Sequence, residues 1–589
     1  MELQPLSSPF VLLEDARPGC ESARLFRRPS ATISAREPSE VTAALESAER
    51  ALQSGHHVAG YFAYELGYLL EPRLEPLEWP RRDVPLLWLG VFEQCESLEG
   101  ADSAKLFAAG SRAYAGPLTL EWSEADYAKR FRRLHDLIGA GDLYQANLTF
   151  RARFAFAGDA RTLYRDLRGH ARAGHCAFVA DGERQILSLS PELFFELTAE
   201  RAIRAKPMKG TAAREEDAAA DARAREDLAA SEKDRAENLM IVDLLRNDLS
   251  RVAEIGSVKV ETLFEVETYP TVHQLVSTIS ARARPQTRMT DLVRALFPCG
   301  SVTGAPKIRA MEVIRDLEAS PRGVYCGAIG AFSPDGSAHF NVAIRTLTIT
   351  GESGELGIGG GIIHDSGCAR EYEECLLKAR YYEAAREPIA LIETLRWSQA
   401  EGFVRIARHL ARMEQSSAVF GIAFDRPSVL RRMEDAVAGA GGPMRVRVTL
   451  ADDGAIAATA VPLAPAPAAA WTYAISSGRV DSADIFQFHK TSRRALYDAA
   501  LARAGTDEVL FLNERGEITE GSRTNVFAEI DGRLVTPPVA CGLLDGCLRR
   551  EMLDEGRCSE AILTPGDLQR AGALHVGNSL RGLIRAVPA

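Results

Sequence analysis

At residues 380–390 the chain leaves a helical pattern, reaches Pro388 and restarts with the apolar-led run LIETLRW. Proline lacks a backbone donor and pushes the residue before it out of the helical region, so a helix must stop there. A chain of 589 residues is too long for one hydrophobic core. The break is therefore expected to separate a domain of residues 1–387 from one of residues 388–589. Residues 212–236, rich in Ala, Asp, Glu and Arg, read as a solvated helix or mobile loop, and PLAPAPAAA at 462–470 as a linker inside the second domain.

Helical periodicity is expected at 124–139, 235–246, 305–318 and 369–384. Strand-like runs occur at 57–63, 176–180, 186–197, 339–350, 444–451 and 508–512. Helices and strands do not alternate regularly, which argues for an α+β chain over one doubly wound sheet. A net charge of −11 argues against nucleic acid as a main partner. No apolar run is long enough for a membrane span, and the N-terminus carries no secretory pattern. Ten scattered cysteines read as reduced thiols, so a cytoplasmic location is expected.

In the first domain, Asp234 with Glu237, and Glu371 with Glu374, sit three apart on helical segments, and each pair shares a face. Two such faces brought together suit Mg²⁺; salt bridging on solvated helices is the competing reading. Lys206 and Lys209 flank a proline turn in KPMKGT, and GSVTGAPK and LGIGGGII are glycine-rich turns able to cradle an anion. Neither turn matches a nucleotide-binding loop.

Taken in order, GDLYQANLTFR, SLSPELFF, KPMKGT, AENLMIVDLLRNDL, YPTVHQLVST, FPCGSVTGAPKIRAMEVI, PRGVYCGAIG, FNVAIRT, GGGIIHDS and EYEECLLKA resemble the chorismate-utilising enzyme family. The resemblance covers most of the first 380 residues. It implies a large two-sheet chorismate-binding domain with the active site between the sheets. It also implies Mg²⁺ on Glu237 and Glu374, with Asp234 and Glu371 supporting through water. Tyr325 and Arg345 match positions that hold the substrate's carboxylates, assisted by the Gly360–Gly361 backbone, and His273 and Thr303 fall among the substrate-binding positions. Relatives often carry His where Gln274 stands, and the sequence leaves open whether His273 or Gln274 faces the ring. Glu192 matches the general acid. Lys209 stands where anthranilate synthases carry a small residue and aminodeoxychorismate synthases carry lysine, which implies lysine addition at ring C2 before ammonia enters at C4. PFVLLEDAR and GYFAYELGY resemble the tryptophan-pocket segments of relatives; LLED in place of LLES predicts no tryptophan inhibition.

Beyond residue 390, RHLARM, FHKTSRRALY, NERGEITEGSRTNVF and GNSLRGL resemble the class IV aminotransferase family, which includes aminodeoxychorismate lyases. This implies a smaller, two-subdomain domain binding pyridoxal 5′-phosphate (PLP). Lys490 would be its Schiff-base partner and general base, with Glu520 at the pyridine nitrogen. Arg412, Gly546, Cys547 and Ser579 would surround the phosphate, with Thr394 and Arg396 near the cofactor. Asp545 replaces a usual proline and is unexpected beside a phosphate unless it points away. The usual opening strand is absent, so the first domain or a dimer partner is expected to fill its place.

Together the resemblances imply 4-aminobenzoate synthesis from chorismate in two steps. The alternatives are a fusion to a true aminotransferase and a degenerate second domain. No GxCxGxQ-like turn with a later HxE is present, so a separate glutamine amidotransferase subunit is expected to supply ammonia, and a homodimer through the PLP domain follows the family's habit.

Overall fold

The computed structural model describes residues 6–100, 102, 105–107, 111–269, 272–465 and 469–589. The expected linker at 462–470 and the YPTVHQLVST block therefore lie partly outside the described residues, at 466–468 and 270–271. The chain forms two compact units. The first comprises Met1–Ala109, Leu118–Phe154 and Leu163–Ala385; the second comprises Gly110–Pro117, Ala155–Thr162 and Arg386–Ala589. Among the described residues no helix is long and apolar enough to cross a membrane.

The first unit is built on two large sheets. One runs Gly304–Ala305, Gln145–Gly158, Ser353–Ile362, Thr346–Thr350, Arg184–Ser190, His175–Ala180, Phe10–Asp15, Ser22–Arg27 and Glu96–Glu99. The other runs Met208–Ala213, Val272–Arg282, Ala202–Lys206, Leu193–Leu197, Ala338–Val342, Ala328–Phe332, His57–Phe62, Leu87–Phe92 and Ala31–Ala35. Side chains alternate along a strand, and His57–Phe62 uses both faces. Ala59 and Tyr61 pack against Val11, Phe26, Val179 and Ile186 of the facing sheet. Val58 and Phe62 join Leu45, Ile241 and Leu292 of the covering helices.

Two runs that read as single strands are each two strands in different sheets. The run at 186–197 ends in one sheet at Ser190 and resumes in the other at Leu193, because Pro191 cannot continue the ladder. The run at 339–350 leaves the second sheet at Val342 and enters the first at Thr346, turning through Arg345 at φ +49°. The crossings are adjacent: the Val342 N–H donates to the Glu192 carbonyl at 3.1 Å, and the Leu189 N–H to the Arg345 carbonyl at 3.0 Å. Glu192 and Arg345 thus sit where the chain passes between sheets.

The second unit has two sheets. Gly402–Phe403, Ala390–Ser398, Met444–Ala451 and Ile456–Pro462 form an antiparallel sheet, and helix Arg426–Val437 buries Val429 and Met433 in its core. A mixed sheet of eight strands follows, with Trp471–Val480 parallel to Glu508–Asn513 and to Gly582–Pro588. Two short segments from the N-terminal half also belong to this unit. Ala113–Ala115 pairs with the end of Gln145–Gly158, and Tyr114 and Ala157 are buried among Leu391, Met413 and Phe420. These segments lie far from Arg386 in sequence, and no local pattern marks them.

Candidate active sites

In the first unit, Lys209 follows Pro207 at a slip of register between Met208 and Thr211 against Val272–Arg282. Gly210 takes φ +86°, a left-handed conformation that favours glycine. A Cβ there would also meet Asp234 at 2.8 Å, so the loop rests on the start of helix Glu232–Ser250. The Lys209 amine ends over strand Ser353–Ile362. A Cβ on Gly361 would lie 2.9 Å from Lys209 Nζ and 2.6 Å from Gln145 Nε2. A Cβ on Gly360 would instead meet Lys378 Nζ at 3.5 Å and Glu371 Oε2 at 3.7 Å. Glycine at 361 leaves room for two converging side chains.

Glu192 is 4 % exposed, and burial pushes its carboxyl up to about 7, opposed by the Ser301 hydroxyl and the Lys209 charge. Its Oε1 and that of Gln145 are buried without a hydrogen-bond partner. Buried acceptors are rarely left unpaired, so these two mark a place for a polar ligand. Gln145 and Ser301 lie inside motifs read from the sequence, but nothing in their spacing assigns them a role.

The acids meet around lysines. Lys233 Nζ lies 3.8 Å from Glu237 and 3.7 Å from Glu371, while Glu374 pairs with Lys378 at 3.0 Å. Burial raises the Glu237 carboxyl, with Asp234 and Glu371 adding to the rise. Glu374 is held low by Lys378, Lys209 and Lys233 against the effect of its burial. Asp234 accepts from the Ser231 hydroxyl at the start of its helix. An all-carboxylate donor set from two helices, already gathered on an ammonium, fits Mg²⁺. Glu237 and Glu371 share the Lys233 ammonium, and Glu374 lies close enough to Lys209 and Lys233 for their charges to act on it.

Tyr325 is buried against Gly357, where a Cβ would lie 2.1 Å from its ring. Burial lowers the Arg345 guanidinium, and no acid among the described residues forms a salt bridge with it. The Thr303 hydroxyl donates to the carbonyls of Cys299 and Gly300 at 3.2 Å, so its proton is taken up within its own turn. Between His273 and Gln274, His273 has both ring nitrogens taken: Nε2 lies 3.0 Å from Asp221 and Nδ1 3.0 Å from Thr268. Strand alternation puts Gln274 on the opposite face, 3.4 Å from the Thr211 hydroxyl and with Oε1 unpartnered.

In the second unit, Lys490, Glu520, Arg412, Gly546, Cys547, Ser579 and Thr394 line one cavity of about 630 Å³. Arg396 does not line it; its guanidinium holds both oxygens of Glu401, at 2.6 and 2.9 Å. Burial pushes the Lys490 amine down to about 8, with Arg494 and Arg412 adding to the fall. Burial pushes the Glu520 carboxyl up to about 7, opposed by Lys490 and Arg494. Arg412 grips both oxygens of Glu393, at 2.8 and 2.6 Å, and donates to the Asp545 carbonyl at 3.1 Å. His409 bridges Glu393 at 2.5 Å and the Ser579 hydroxyl at 2.8 Å. Burial would raise Glu393, yet Arg412 and His409 hold it down to about 2.

Glu393, His409 and Cys547 approach within metal-binding reach of one another. The Arg412 guanidinium on Glu393 and the Cys547 thiol, pushed up to about 11 by burial, make this an anion cup and a poor cation site. Gly546 caps helix Cys547–Asp554, and a Cβ there would collide with Asn525 Oδ1 at 1.9 Å. Asp545 points away: its carboxylate meets Arg549 at 2.7 Å and Arg550 at 2.8 Å. A half-buried lysine, a half-buried acid, and an arginine with a glycine-capped helix start fit PLP. Glu393 and His409, which the sequence reading did not single out, hold Arg412 and Ser579 in place.

Residues 8–383 match the chorismate binding enzyme family model, and residues 390–587 match that of amino-transferase class IV. Over 261 residues the chain is 46% identical to aminodeoxychorismate synthase component 1 of Klebsiella aerogenes, a match covering 44% of this chain and 58% of that protein. The chain thus spans little more than half the length of that relative. Among solved structures, an amino-acid aminotransferase from Mesorhizobium loti is 48% identical, covering 34% of this chain and 100% of that one at a TM-score of 0.34. Anthranilate synthase component I from Streptococcus pneumoniae is 24% identical, covering 66% and 94% at a TM-score of 0.53. The chain belongs to the chorismate-binding enzyme family, and carries a class IV aminotransferase domain behind it.

Proposed function

We propose that the chain converts chorismate to 4-aminobenzoate, by aminodeoxychorismate synthesis in the first unit and pyruvate elimination in the second. The observation that carries this reading is the Lys209 amine over Gly361, beside Gln145 and close enough for its charge to act on buried Glu192. In the first step, Lys209 Nζ bonds to ring C2, the ring double bonds shift and the C4–O bond breaks as Glu192 protonates the departing hydroxyl, which leaves as water. Ammonia then bonds to C4, the ring double bonds shift back, the C2–N bond to Lys209 breaks, and the new amine gives up a proton as the lysine amine is released. Glu192, poised at about 7, is partly protonated at neutral pH and suits the acid's role. Glu237 and Glu371 would hold Mg²⁺, which would supply positive charge for the substrate's ring carboxylate.

In the second unit, PLP supplies an electron sink when bound. Lys490, held near 8, is partly neutral and takes the proton from C4 of the substrate. Glu520 keeps a proton at the pyridine nitrogen, and Arg412 with Ser579 binds the phosphate. Loss of pyruvate then leaves the aromatic amine. We further propose that a separate glutamine amidotransferase subunit supplies ammonia, and that the enzyme works in the cytoplasm as a homodimer through its second unit; all ten cysteines are free thiols, which suits that compartment.

The test is a product assay with chorismate, Mg²⁺, PLP and ammonium salt. Wild type should yield 4-aminobenzoate and pyruvate. Lys490→Ala should accumulate aminodeoxychorismate, and Lys209→Ala should make neither product. Anthranilate as the product would refute the reading.

A further inference from the structure

The second unit's cavity has positive charge that PLP does not need. Strand Met444–Ala451 buries Val446 and Val448 in the core, so Arg445 and Arg447 stand together on the opposite face. Both line the cavity that holds Lys490. Arg447 is paired across the sheet with Thr394, and Arg445 with Arg396. The nearby acid, Glu401, is taken by Arg396. Among the described residues no carboxylate forms a salt bridge with Arg445 or Arg447. Arg494, Arg523 and Arg581 also line the cavity, and Arg412, assigned to the phosphate, is oriented by Glu393. Both side chains are exposed at the cavity's edge, and two like charges on one sheet face favour an anion placed between them. Their planar forks match carboxylates bidentately.

We propose that Arg445 and Arg447 form a carboxylate-binding wall that selects a dicarboxylated amine whose carboxylates are remote from its amino carbon. The proposal rests on the lyase reading of this unit. Aminodeoxychorismate has this form: its ring carboxylate lies across the ring from the amine that must reach Lys490, and its second carboxylate hangs from the ether oxygen on the neighbouring ring carbon, so neither is attached to the amino carbon. An α-amino acid, with its carboxylate on the amino carbon, would leave the wall unused.

The test uses the full chain loaded with PLP. Arg445→Gln, Arg447→Gln and the double variant are compared with Arg→Lys versions. The probe is 3-(carboxymethoxy)benzoate, an amine-free ring-and-ether dicarboxylate, set against 3-methoxybenzoate. Each Gln variant should raise KM for aminodeoxychorismate and Ki for the dicarboxylate about tenfold. The double variant should compound both effects, with kcat within threefold, cofactor absorbance unchanged, the monocarboxylate little affected and partial rescue by Lys. Unchanged KM and Ki in the double variant would overturn the proposal. Were wild type to release no 4-aminobenzoate from aminodeoxychorismate while still binding the dicarboxylate through these arginines, the lyase reading would fall and the carboxylate wall would stand.

Discussion

Gly361→Ala separates the geometry of the first site from the stability of its fold. Gly361 does not occupy a left-handed backbone conformation, so alanine is tolerated by the main chain. Its Cβ would arrive 2.6 Å from Gln145 Nε2 and 2.9 Å from Lys209 Nζ, both ends of flexible side chains. To regain a separation of about 3.5 Å, Lys209 must retreat by roughly 0.6 Å and Gln145 by roughly 0.9 Å. A displacement on the order of 1 Å at a reacting group costs about 100-fold in rate, or about 2.7 kcal/mol. The fold should lose less than about 1 kcal/mol, since nothing rigid is struck. Gly359→Ala is the contrast: its Cβ would meet the Leu148 carbonyl oxygen at 2.5 Å and Thr149 Cα at 2.8 Å, which are backbone atoms and cannot yield cheaply. The assay is aminodeoxychorismate formation from chorismate and ammonium salt, with urea unfolding alongside and elimination from supplied aminodeoxychorismate as the internal control. A Gly361→Ala enzyme with wild-type synthesis, or one that unfolds as easily as Gly359→Ala, would refute the reasoning.

Three further outcomes follow from the charges. Because Glu192 must be protonated to act and sits near 7, kcat/KM for chorismate at fixed free ammonia should fall above about pH 7, and Glu192→Gln should lose that limb together with about 100-fold or more of the rate. The Glu393 carboxyl is lowered from its ordinary 4.5 to about 2, so its contribution to stability is complete above about pH 4.5 and is lost as pH falls towards 2. Glu393→Gln should therefore destabilise the second unit by roughly 3 kcal/mol at pH 7 in urea unfolding, with the gap to wild type narrowing in acid. If Glu237 and Glu371 hold the divalent cation as proposed, Lys233 competes with it, and Lys233→Met should lower the Mg²⁺ concentration for half-maximal synthesis by about tenfold; an unchanged Mg²⁺ requirement would show that these acids do not hold it.

What the sequence disclosed and what it hid follow from the range of the forces involved. Helix Glu124–Gly139 was legible because its apolar period and its Ser123–Asp126 capping box are local. The sheet crossings at Glu192 and Arg345 were hidden inside apparently continuous strand runs, since a change of partner sheet leaves apolar alternation intact. Whether His273 or Gln274 turned inward depended on which strand face met helix Ala218–Ala230, a tertiary fact.

The acids show the same limit most sharply. Spacing by three places Glu371 and Glu374 on one broad face but does not say which of them points inward. That is decided by Cys375, fully buried and one turn from Glu371, which rotates helix Cys368–Leu377 so that the Glu371 side chain is 4% exposed and that of Glu374 is 49% exposed. A pair of carboxylates at this spacing therefore turns one inward by default, and the second only if the helix is rolled towards it. In this chain the roll brings Glu371 to Glu237, and leaves Glu374 to orient Lys378, whose amine donates to the Gly359 carbonyl at 2.9 Å and so helps fix the glycine strand beneath Lys209.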